Sequence, residues 1–156
     1  MIVFRIVCAI LMAWAVNISL SRPEAAEMLR ELPDMALFGP AAGAVIGFVN
    51  LAVRQGGGFI VAFANGVWAG VLSILLSGII HVVVEVVRAI NTNVIRTFDN
   101  FLNVFGTFVE PLWEAVVDVP LLTVSLGATA LVGVITEVIH WILVRMKTRK
   151  GRQRTG

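Results

Sequence analysis

A chain of 156 residues that is 58% hydrophobic and only 14% charged lies far from the composition of water-soluble domains. A domain of this size has too little interior to hide so much apolar surface, which excludes a soluble enzyme and a soluble nucleic-acid-binding module. The formal net charge of +2 is a local excess, since six of the twelve Lys and Arg lie between Arg145 and Arg154, a placement suited to an anionic lipid surface.

Ile2 to Leu20 is the first apolar segment, interrupted only by Arg5 and Asn17. Arg5 and the Ser19-Leu20-Ser21 triplet resemble parts of a signal peptide. The apolar run is longer than such a peptide's core, so an uncleaved transmembrane helix is the expectation. The lone cysteine, Cys8, allows no internal disulfide, and burial in lipid would keep its thiol unreactive. Ser21-Arg22-Pro23-Glu24 then has the pattern of a helix start, with Ser21 as N-cap and Glu24 three residues on. The short, charged helix that follows should end before Pro33 and lie outside the hydrocarbon.

Residues 35–53 form the second predicted span, carrying Gly39, Gly43 and Gly47 at four-residue spacing. Repeated G-x-x-x-G lets a neighbouring backbone approach closely, and van der Waals contact replaces the missing hydrophobic drive. Arg54-Gln55-Gly56-Gly57-Gly58 reads as a tight, flexible turn that makes the second and third spans antiparallel.

Residues 59–88 are the third span. Its uncharged part, 59–80, would extend about 33 Å as a helix, enough to cross a bilayer's hydrocarbon. Ala62, Gly66, Gly70, Ser73, Ser77 and His81 recur at steps of three or four along one side, a stripe built to contact other helices. Residues 89–109 alternate apolar and polar groups at helical period. They are expected to form an interfacial helix on the periplasmic side, its aromatic face toward lipid or, alternatively, docked on a partner, and ended by Pro111. Residues 120–144 are the fourth span, containing Gly127, Gly133, Glu137 and His140. Residues 145–156 are a basic tail in which Arg145, Lys147, Arg149, Lys150, Arg152 and Arg154 are candidate ligands of anionic lipid head groups.

The expected fold is an all-α membrane protein of four transmembrane helices. With four spans the termini share a side, which then holds eight of the twelve basic residues and one of the ten acids, Glu137. The positive-inside rule places that side in the cytoplasm of a bacterial inner membrane.

Candidate chemistry is sparse. His81 with Glu85, and Glu137 with His140, each share a helix face, but the topology puts the pairs at opposite ends of the membrane, so one metal cannot take all four. Glu85 and Arg88 read as an interfacial salt bridge. His81 is expected to hydrogen-bond a neighbouring helix, ligation of a metal or tetrapyrrole being the alternative. His140 beside Trp141 fits an aromatic belt. No nucleotide, zinc-protease, redox or hydrolase motif occurs, so neither an enzyme nor a cofactor other than bound lipid is expected. Glu137 is the exception, because a carboxylate inside a span requires a partner. Asn65 lies at a similar depth and Asn50 slightly nearer the surface. A polar cluster of Asn50, Asn65 and Glu137 is the expectation, with Glu137→Gln tolerated.

Leu32-Pro33, Phe38-Gly39, Asn65-Gly66, Glu85-Val86-Val87-Arg88, Asp118-Val119-Pro120-Leu121-Leu122, and Gly133 with Glu137 are spread along the whole chain. In these pieces it resembles the TrgA-type tellurite-resistance membrane proteins of alphaproteobacteria. It departs from the family's pattern at Ala89 to Asn93, where the family is basic, and at Val119, which separates Asp118 from Pro120. The resemblance implies a link to tellurite tolerance and no mechanism. Two functions are then expected: an accessory or scaffold subunit of a larger membrane assembly, respiratory or photosynthetic, or an oxyanion resistance or transport protein working as a homo-oligomer. The expected partners are lipids and other membrane subunits, not nucleic acid.

Overall fold

The computed structural model describes residues 2–152 except Asn93 and Arg96, and within them all regular structure is helical. Helix α1 is Ile2–Leu20, α2 is Ala26–Glu31 after a 3-10 turn at Pro23–Ala25, and α3 is Met35–Val49 followed by a 3-10 turn at Leu51–Val53. Helix α4 is Phe59–Asn91, α5 is Phe98–Val117 and α6 is Val119–Arg152. Four segments are long and apolar enough to cross a membrane: Ile2–Leu20, Met35–Val53, Phe59–Asn91 and Val119–Thr148. Large apolar side chains such as Trp14, Val45, Phe63 and Leu131 lie exposed on the outside of the bundle, the pattern of a surface meeting lipid.

Small residues set the two closest helix pairs. Helix α3 lies on α1 through Gly39, Gly43 and Gly47. A Cβ at Gly47 would sit 2.5 Å from the Cys8 carbonyl and 2.9 Å from Met12 Cβ, and one at Gly43 would sit 3.1 Å from the Met12 carbonyl. Helix α4 lies on α6 in the same way. A Cβ at Gly66 would strike the Thr129 carbonyl, one at Gly70 the Thr129 hydroxyl, and one at Gly133 the Ala62 carbonyl. Ala62, Gly66, Gly70, Ser73, Ser77 and His81 are all buried on α4. Met12, Ala15, Leu51, Ala69 and Val132 form the core between the pairs.

Several boundaries differ from the sequence reading. Ser21 does not cap α2; its hydroxyl donates to the Asn17 carbonyl at 2.7 Å and finishes α1, while Pro23 opens the 3-10 turn that leads into α2. The amphipathic helix does not occupy 89–109. Ala89–Asn91 extend α4, and α5 begins after Thr97, whose side chain accepts from the Asn100 N–H at 3.3 Å. Pro111 lies inside α5 instead of ending it. Beyond it, Leu112, Trp113 and Val116 continue the apolar stripe begun by Phe105 and Val109, and all five line a recess of this chain. That packing offsets the hydrogen bond Pro111 cannot make. The stripe therefore faces the bundle, not lipid alone. At the next junction Asp118 Oδ1 accepts from the Leu121 N–H at 3.3 Å and caps α6. Helix α6 does not stop at Val144; it carries the basic residues on to Arg152. Of the head-group candidates, Arg154 lies outside the described residues, as do the side chains of Arg149, Lys150 and Arg152.

Candidate functional site

The two ends of the bundle are chemically different. One end gathers the start of α1, the Arg54–Gly58 loop and the later part of α6: the Phe4 and His140 rings lie 5.7 Å apart, and Arg5 lies over the Phe48 ring at 5.8 Å. Here Glu137 is 7% exposed, and its partners are not the expected ones. Its Oε2 accepts from the Gly56 N–H at 2.7 Å and its Oε1 from the Gly58 N–H at 3.0 Å.

The Arg54–Gly58 loop is shaped for this. Gly56 has φ +103° and Gly58 has φ +87°, a region open to glycine and strained for other residues. The two amides so oriented form an anion-binding nest at the N-terminus of α4, where the helix dipole also favours a carboxylate. Asn65 closes the loop from the other side, its Nδ2 donating to the Arg54 carbonyl at 3.0 Å. Asn50 stays apart, with Oδ1 buried and unpartnered. The expected cluster of Asn50, Asn65 and Glu137 is thus replaced by a loop held from two helices. The tight turn is tied by three hydrogen bonds, two to Glu137 and one from Asn65. The glycine run before α4 and the carboxylate within α6 were each visible in the sequence; that they meet was not.

His140 sits at this end beside the loop, with Nε2 3.6 Å from where a Gly56 Cβ would stand. Next to it Arg145 stacks on the Trp141 ring at 3.6 Å, an arrangement of the membrane interface.

The opposite end joins α4 to the α2–α3 loop. Arg88 Nη1 donates to Glu85 Oε1 at 2.6 Å and to Asp34 Oδ2 at 2.8 Å. The Glu85–Arg88 pair expected from their spacing is present, and Asp34, 54 positions away, completes it. His81 packs one turn below Glu85. Its imidazole is 5% exposed, and Nδ1 is enclosed with no hydrogen-bond partner, so the expected bond from that nitrogen to a neighbouring helix is absent. One donor atom each of Asp34, His81 and Glu85 lie within 4.8 Å of one another. They border a cavity of about 340 Å³ that Glu31, Thr107 and Pro111 also line. The two histidine pairs remain at opposite ends, as the alternating topology requires. Sequence reasoning missed Asp34, because no spacing connects a loop residue to a helix two segments on.

Between the ends, beneath α5, lies a partly open recess of about 550 Å³. Its wall is apolar apart from Ser73, Ser77, Ser125 and Thr129. Three of those hydroxyls donate within their own helices: Ser73 to the Ala69 carbonyl, Ser77 to Ile74, and Thr129 to Ser125 and Leu126. No family model, no curated protein and no solved structure matches this chain.

Proposed function

We propose that the chain is a non-catalytic accessory subunit of a larger bacterial inner-membrane assembly, with both termini in the cytoplasm and the basic end of α6 against anionic lipid. The observation that carries this reading is the apolar recess beneath α5. An apolar cavity with three of its four hydroxyls turned to their own backbones suits a lipid chain or the apolar side chains of a neighbouring helix. Ser125 is the one lining hydroxyl left to donate to an oxyanion, too few to replace its hydration, which sets the transport alternative behind the scaffold one. The glycine stripes are engaged within the chain, so the recess and the outer apolar surface are what remain for a partner.

Purification from native membranes in lipid nanodiscs, followed by mass spectrometry, tests the reading. Stoichiometric membrane-protein partners are expected. Gly78→Phe, which fills the recess beside Leu112, should release them while the chain keeps its fold. A lone homo-oligomer in both preparations would favour the resistance or transport alternative that the TrgA resemblance implies.

A further inference from the structure

Asp34, His81 and Glu85 converge from the α2–α3 loop and the last third of α4. Helix α4 has 33 residues and extends about 50 Å, well beyond a hydrocarbon core of about 30 Å. Its 22 uncharged residues come first, so His81 and Glu85 fall where the helix leaves the apolar zone and water can reach the cavity beside them. Two carboxylates and one imidazole are a donor set for a borderline divalent transition cation, with positions left for water.

Two observations point beyond an ordinary salt bridge. The first is His81, enclosed to 5% exposure with an unpartnered ring nitrogen and lining the same cavity as both carboxylates. An imidazole in such surroundings normally bonds both nitrogens. The second is the position of Arg88. A single nitrogen, Nη1, touches both Asp34 and Glu85, so one positive atom already occupies the point between them. The Arg88 side chain is 57% exposed and can swing into water at little cost. The cavity's acids, Glu31, Asp34 and Glu85, outnumber its one strong base.

We propose that Asp34, His81 and Glu85 bind a divalent transition cation of the zinc class, with Arg88 holding the two carboxylates until the cation displaces it. Ligand bonds of 2.0–2.2 Å in a tetrahedral site place donor atoms about 3.4 Å apart. Donors already within 4.8 Å need to close by about 1.4 Å at most to reach that spacing. The site does not depend on whether the chain is an accessory subunit.

The test uses the full chain in nanodiscs, stripped with chelator and titrated with zinc chloride, the bound metal being counted by elemental analysis. One zinc per chain is expected. His81→Gln should weaken binding about tenfold or more, since even loss of a residue that only supports a ligand costs that much. Arg88→Gln should strengthen it, because the competing cation is gone, and His140→Gln should leave it unchanged. Cobalt(II) bound to the unmutated chain should show the visible absorption of a low-coordinate nitrogen–oxygen site, a readout that needs no variant to fold. The proposal is overturned if neither the unmutated chain nor Arg88→Gln retains zinc. It is equally overturned if His81→Gln binds as the unmutated chain does, or if cobalt gives only the spectrum of the hydrated ion.

Discussion

Glu137 accepts a 2.7 Å hydrogen bond from the backbone N–H of Gly56, a residue 81 positions earlier in the chain. With the companion bond from Gly58, it fixes the start of α4 against the body of α6. The carboxylate's partners are both donors, which changes what substitution there should do. Glutamine has one acceptor oxygen, and its NH₂ would face the second N–H. Glu137→Gln is therefore expected to destabilise, not to be tolerated. Glu137→Leu should cost about 0.5–1.5 kcal/mol for each bond lost, because Gly56 and Gly58 are exposed and water can take their N–H groups. Thermal unfolding in detergent, followed by circular dichroism, checks both; an unchanged midpoint for Glu137→Gln would show that the clasp contributes nothing.

The loop should be as sensitive as the carboxylate. Gly56→Ala places a Cβ on a residue with φ +103°, a conformation that costs an L-residue about 1–2 kcal/mol. It should also turn the N–H away from Glu137. Combined with Glu137→Leu, the two losses should fall short of additive, because each removes the same bond. Additive losses in a double-mutant cycle would separate the loop from the carboxylate.

Glycines on this scaffold should divide sharply by position. Gly47→Leu and Gly133→Val drive side chains into the Cys8 and Ala62 carbonyls and should prevent the α1–α3 and α4–α6 pairs from closing. Gly127→Ala, where an added Cβ meets nothing within 4 Å, should be neutral or slightly stabilising through helix propensity. Chromatographic profile and unfolding midpoint distinguish the groups, and a stable, monodisperse Gly47→Leu protein would show that close approach is incidental.

Cys8 is fully enclosed against α3 and should resist maleimide until the protein is unfolded. In a Cys8→Ala background, single cysteines at Arg54 and Lys147 should react only from the cytoplasmic side, and those at Glu31 and Asn100 only from the other. Arg54 and Lys147 reacting from opposite sides would contradict an even number of spans.

How much of this was legible follows from which interactions are local. Spans at 2–20, 35–53 and 59–88 could be placed within a few residues because hydropathy sums over neighbours along the chain, and the buried stripe from Ala62 to His81 followed from helical period alone. The Glu85–Arg88 pair was visible for the same reason, being three residues apart on one helix. Which helix each stripe meets was not visible, because the rotation and depth of one helix against another leave no mark on either sequence. Asp34 joins His81 and Glu85 only once α3 has packed beside α4. Glu137 is the clearest case. Its need for a partner could be read from a carboxylate inside an apolar helix, and Asn65 was at a plausible depth. Its actual partners are backbone amides of Gly56 and Gly58, donors that every residue but proline carries. A sequence names side chains, so it pointed to the asparagines; only the folded loop, turned by two positive φ angles, aimed the amides.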